Sequence, residues 1–200
     1  MSKKTKEEKE SIKGSSNWKP SWLNSLTDKK MKSISDIFLF FVIETPIVNE
    51  SYRSIDFKDY GWNVDNMWNE NSMFLNGIND ILFDDQQKKF SMKYSCNDIY
   101  DYLEKNNINE DKINENKREL FLFLKYDTWK GVQEKYMSFF KHIRNSFAHG
   151  RFAISDNYLI LEDVSTKNKV DEKDKVVINA LIVIKIEKLR RIISFIKKMK

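Results

Sequence analysis

The chain has 200 residues, 40% hydrophobic and 14% aromatic, which is enough for the core of one domain and excludes a wholly disordered protein. Thirty-five Lys and Arg against thirty Asp and Glu leave a net charge of +5, compatible with a polyanionic partner without demanding one. Cys96 is the only cysteine, so an intramolecular disulfide is excluded, and two histidines beside it cannot complete a usual structural zinc site.

Residues 1–20 hold nearly all their charge in Lys and Glu and close on Gly14, Ser15, Ser16 and Pro20, the composition of a mobile tail. Residues 21–200 read as a single domain. The first ten residues lack the apolar stretch of a signal peptide. The longest apolar run, Ile37 to Ile43, is far short of the roughly 20 residues that span a bilayer. A cytoplasmic protein without a membrane span is therefore expected.

A helix is predicted from about Leu23 to Glu44, with Ile34, Ile37, Phe38 and Phe41 as its apolar stripe and Pro46 as its stop. Trp62, Trp68, Phe74, Leu75, Ile78, Ile81 and Leu82 suggest a second helix over about 66–82. The two tryptophans read as core residues before they read as base-stacking platforms, and Cys96 reads as a small buried residue. Ser95 suits the N-cap of a short helix holding Ile99, Tyr102 and Leu103 and ending at Asn106-Asn107. A further helix is predicted over Lys117–Leu124.

Asp127 or Thr128 then caps a long helix that runs to His149 and closes on Gly150. Its apolar face is Val132, Tyr136, Phe139, Phe140, Ile143 and Phe147. Beyond Gly150 the period changes. Phe152-Ala153-Ile154 and Tyr158-Leu159-Ile160-Leu161 flank Ser155-Asp156-Asn157 as a hairpin. A polar loop is predicted over Ser165–Lys175 and a strand over Val176–Ile184. Ile186, Leu189, Ile192, Ile193, Ile196 and Met199 mark a closing amphipathic helix.

Lys141-His142-Ile143-Arg144-Asn145-Ser146-Phe147-Ala148-His149-Gly150-Arg151 carries the functional signal. Asn145 and His149 are four apart and stack on one helical face, about 40° from each other around the axis. Arg144 lies about 100° to one side, within reach of the same spot through its long side chain. Breaking an RNA phosphodiester without a metal needs a base for the 2′-hydroxyl, an acid for the 5′-oxygen and a cation for the phosphorane. His149 suits the proton transfers, Arg144 the phosphoryl charge, and Asn145 the orientation of phosphate or imidazole. Lys130, Lys135, Lys141 and Arg151 read as a basic rim for RNA backbone, although a solvated charged face has the same composition. His142 is roughly 10 Å from His149 along the axis and reads as a surface residue that assists phosphate contact. The competing structural reading pairs Arg144 with Glu134 or another carboxylate and makes Asn145 and His149 helix-end residues. No Gly-rich phosphate loop, paired-carboxylate metal site or Ser/His/Asp set is evident, and neither metal nor cofactor is expected.

Arg144, Asn145, three spacers and His149 followed by Gly150 resemble the signature of the HEPN superfamily of small RNA-cleaving domains, known from bacterial toxins and abortive-infection phage defence. The resemblance covers most of residues 125–200. It implies a mainly α fold, a HEPN-like helical bundle with a small C-terminal antiparallel β element (hairpin plus strand) and a closing helix. It further implies a metal-independent endoribonuclease with RNA as substrate and a homodimer whose motifs meet across a two-fold axis. An antitoxin protein is a possible partner of such a toxin. The alternatives are a non-catalytic HEPN module that binds RNA or protein and, more weakly, a basic DNA-binding protein. Residues 47–95 match nothing in that pattern.

Overall fold

The computed structural model describes residues 27–44, 46, 56–83, 95–96, 99–107, 119–124, 132–169 and 172–197. The predicted N-terminal tail and the proposed caps at Asp127 and Thr128 lie outside these residues. Helix α1 (Asp28–Phe38) starts where the Thr27 hydroxyl accepts from the Lys30 backbone N–H. It continues as a π-helical segment over Leu39–Glu44. The run Leu39-Phe40-Phe41-Val42-Ile43 has no single 3.6-residue stripe, and the wider turn coincides with full burial of both Phe40 and Phe41. Helix α2 (Met73–Leu82) begins at Ser72, whose hydroxyl accepts from Leu75 N at 3.1 Å. The predicted start at residue 66 fails for a local reason. Asn63, Asn69 and Ser72 take part in turns upstream, including an Asn63 side-chain bond to Asp65 N. Trp62 and Trp68 pack on Phe74 as core residues, and the Trp62 indole donates to Ile196 O.

Ser95 lies not at an N-cap but in a two-residue strand, β1 (Ser95–Cys96). The expected short helix follows as α3 (Ile99–Lys105), and Asn107 closes it in the left-handed region at φ 50°. The helix predicted over 117–124 is instead β2 (Leu120–Leu124). A five-residue alternation of Leu and Phe suits a strand with both faces covered, and Leu122 and Phe123 are both fully buried, on opposite sides.

Helix α4 (Val132–Ala148) carries the motif and buries Tyr136, Phe139, Phe140, Ile143 and Phe147. The predicted hairpin forms from β3 (Phe152–Ser155) and β4 (Tyr158–Lys169) around Asp156, at φ 51°. The polar loop predicted over 165–175 is largely strand. β4 extends to Lys169, and β5 (Glu172–Lys185) pairs with it down to Lys169↔Glu172. A polar sequence in such a two-stranded ribbon reads as loop composition, because the ladder is formed by backbone hydrogen bonds that any residue but Pro can make. Helix α5 (Ile186–Lys197) follows β5 without a connecting loop.

The sheet order is β1-β2-β5-β4-β3, antiparallel except for β1 with β2. This corrects the mainly α expectation. A five-stranded sheet at the centre of the described residues makes the fold mixed α/β, not a helical bundle with a small β appendage. On one face Phe123, Ile154, Leu159, Leu161, Ala180, Ile182 and Ile184 share a core with α1, α2, α4 and α5. On the other, Ala153, Ile160, Leu181 and Val183 meet Ile99 and Leu103 of α3. Among the described residues no helix is long and apolar enough to cross a membrane.

Candidate functional site

The last turn of α4 is shaped by its stop. Gly150 adopts φ 62°, its N–H reaches Phe147 O, and Arg151 N–H reaches Ser146 O at 2.7 Å. This pair of bonds is the Schellman closure, in which a left-handed residue satisfies the final carbonyls. It places His149 at the C-cap, exposed to solvent, with its backbone N–H on Asn145 O. No hydrogen bond holds the His149 ring among the described residues.

Arg144 and Asn145 are half-buried one turn earlier. Asn145 Nδ2 donates to Asp163 Oδ2 at 3.2 Å, and Asn145 Oδ1 accepts from Arg144 Nη1 at 3.3 Å. Among the described residues Arg144 pairs with no carboxylate, and its Nε is buried without a hydrogen-bond partner. An unneutralised guanidinium away from bulk water is a strong attractor for an anion.

His142 departs from expectation. It is 5% exposed, not a surface residue, and its Nδ1 donates to Asp163 Oδ2 at 2.6 Å. Its Nε2 stands 3.2 Å from Ser138 Oγ. A Ser-His-Asp sequence of contacts therefore exists that was not evident from spacing, with its acid on β4. Ser138 lies inside α4, where the neighbouring backbone N–H groups are taken by helical bonds and are not available as oxyanion donors.

The expected basic rim is only partly assembled. Lys141 is exposed one turn before Arg144 and Asn145, and Lys135 is half-buried about two and a half turns before Arg144. Lys130 lies outside the described residues. Arg151 pairs with Glu162 at 3.4 Å. Glu162 and Asp163 are neighbours on β4 and point to opposite faces, so Arg151 is engaged on the face away from α4 and does not flank the motif.

Asp163 and Ser138 were not identified from sequence. The available signal was the spacing of Ser138, His142, Asn145 and His149, which recur at four, three and four as a polar stripe. Among the described residues no group of three or more His, Cys, Asp or Glu is placed to hold a metal ion. No family model, curated protein or solved structure matches this chain.

Proposed function

We propose that this protein is a metal-independent endoribonuclease that uses the HEPN-type set Arg144, Asn145 and His149 on a mixed α/β scaffold. The observation that carries the reading is Arg144, a half-buried cation that meets no carboxylate among the described residues, held by a neutral amide within about one and a half turns of an exposed imidazole. In the reaction a 2′-oxygen attacks phosphorus and the 5′-oxygen leaves, giving a 2′,3′-cyclic phosphate and a 5′-hydroxyl. Arg144 takes up charge on the phosphoryl oxygens as the phosphorane forms. His149 moves one of the two protons.

His142 is buried on Asp163 and does not supply the second proton transfer. A second chain bringing its own His149 does, and this is the reason to propose a homodimer. Light scattering is expected to report twice the 24.0 kDa chain mass. A cytoplasmic toxin or phage-defence effector, with an antitoxin protein as partner, is the setting that the motif resemblance suggests.

The test is cleavage of labelled RNA by purified protein in excess EDTA. His149→Ala is expected to lose about 100-fold or more in rate while keeping its fold. A His149→Ala variant that cuts like the wild type overturns the assignment. Retained RNA affinity without cleavage by the wild type identifies the non-catalytic binding module instead.

A further inference from the structure

We propose that Asp163 is a positioning residue for Arg144, acting through the Asn145 amide. The proposal rests on the reading of Arg144 as the phosphate-binding cation. A carboxylate can only accept, so it selects which end of a facing amide it meets. Asp163 Oδ2 takes the NH2 end of Asn145, at 3.2 Å. The carbonyl end is thereby turned away, and there it accepts from Arg144 Nη1. A neutral group at 163, able to donate as well as accept, weakens that selection and leaves the donor-only guanidinium as the main group orienting the amide. The Asn145 carbonyl is then less firmly fixed, and Arg144 is held less well.

The carboxylate itself is well fixed. It rises from β4, whose pairing with β5 shifts register between Asp163 and Val164, and its side chain is only 5% exposed. The same Oδ2 accepts from His142, which is in turn within reach of Ser138. His142 and Asn145 are three apart on one face of α4, so a single oxygen ties two successive turns of the helix to the sheet. The Asp163 oxygen is already engaged by an imidazole and an amide, and the amide links it to the cation.

The experiment compares Asp163→Asn, Asn145→Ala and the double variant of the full chain, with thermal melting to measure the folded fraction. Asp163→Asn is expected to lower kcat for RNA cleavage by roughly tenfold per folded molecule. In the Asn145→Ala background the same change is expected to cost less than about twofold, because the connection is already cut. A merely structural role gives additive losses that follow the folded fraction. Additive losses, or full kcat in folded Asp163→Asn, overturn the proposal.

A second measurement needs neither cleavage nor a variant. In wild-type protein the Asn145 side-chain NH2 is expected to give a shifted NMR cross-peak that exchanges slowly with water. A free-amide resonance in rapid exchange overturns the proposal even where a variant fails to fold. Failure of the underlying reading looks different. Cleavage and binding untouched by Arg144→Ala remove Arg144 as the phosphate contact, while the Asn145 resonance still reports whether Asp163 orients the amide.

Discussion

Two arginines seven residues apart meet two adjacent carboxylates in opposite ways. Arg151 contacts Glu162 directly, an ion pair with the acid 4% exposed, on the sheet face that carries α3. Arg144 stands on the other face and is separated from Asp163 by a neutral amide. Both cations lie within eight residues of a helix end, so their sequence surroundings hardly distinguish them. The fold does. One charge ties the end of α4 to β4, and the other meets no carboxylate among the described residues.

The largest test of that contrast exchanges the two residues for Ala. Arg144→Ala is expected to reduce RNA cleavage by about 100-fold or more with little change in melting temperature. Arg151→Ala is expected to do the reverse. It removes the Arg151 contact from the buried Glu162 and lowers stability by about 1–3 kcal/mol, with cleavage per folded molecule near wild type. Equal effects of the two on cleavage break the comparison.

Asn145→Asp sharpens it by placing a carboxylate against Arg144, in imitation of the Arg151–Glu162 pair. RNA binding is expected to weaken by about tenfold as the cation is neutralised. Unchanged affinity for a non-cleavable oligonucleotide contradicts this. A control away from both arginines is Gly77→Ala, where the added methyl runs into the Phe195 ring. Denaturant unfolding is expected to show a loss of about 1–3 kcal/mol, with cleavage per folded molecule unchanged. The smallest effect belongs to Lys141, exposed one turn from the site. Lys141→Ala is expected to reduce the log–log salt slope of single-stranded RNA binding by about 0.7, and an unchanged slope places the RNA elsewhere.

The motif helix was legible because Phe139, Phe140, Ile143 and Phe147 recur at helical spacing and Gly150 supplies the left-handed stop. The β3–β4 hairpin was legible for a similar reason, through turn-forming residues between two β-prone runs. β2 was not, since alternating Leu and Phe from 120 to 124 is apolar in either period and burial on both faces removes the amphipathic cue. The mainly α expectation failed with it. A strand read as helix, and a ribbon read as loop, hid the sheet that organises the core.

At the candidate site the sequence identified Arg144, Asn145 and His149 as a local set but not what supports them. Asp163 is 18 residues from Asn145 in sequence, and its approach depends on the register of β4. His142 was misplaced because a single polar residue on a helix looks exposed until its partner on another element is known.

In the proposed reaction Arg144 and His149 cleave RNA through the 2′-hydroxyl. The most direct test is end-group analysis of the products formed from a defined RNA in excess EDTA, with wild-type and Arg144→Ala protein side by side. Wild-type protein is expected to give 2′,3′-cyclic phosphate and 5′-hydroxyl ends, and the variant almost no product. Cleavage that EDTA abolishes, or that leaves 5′-phosphate ends, contradicts it.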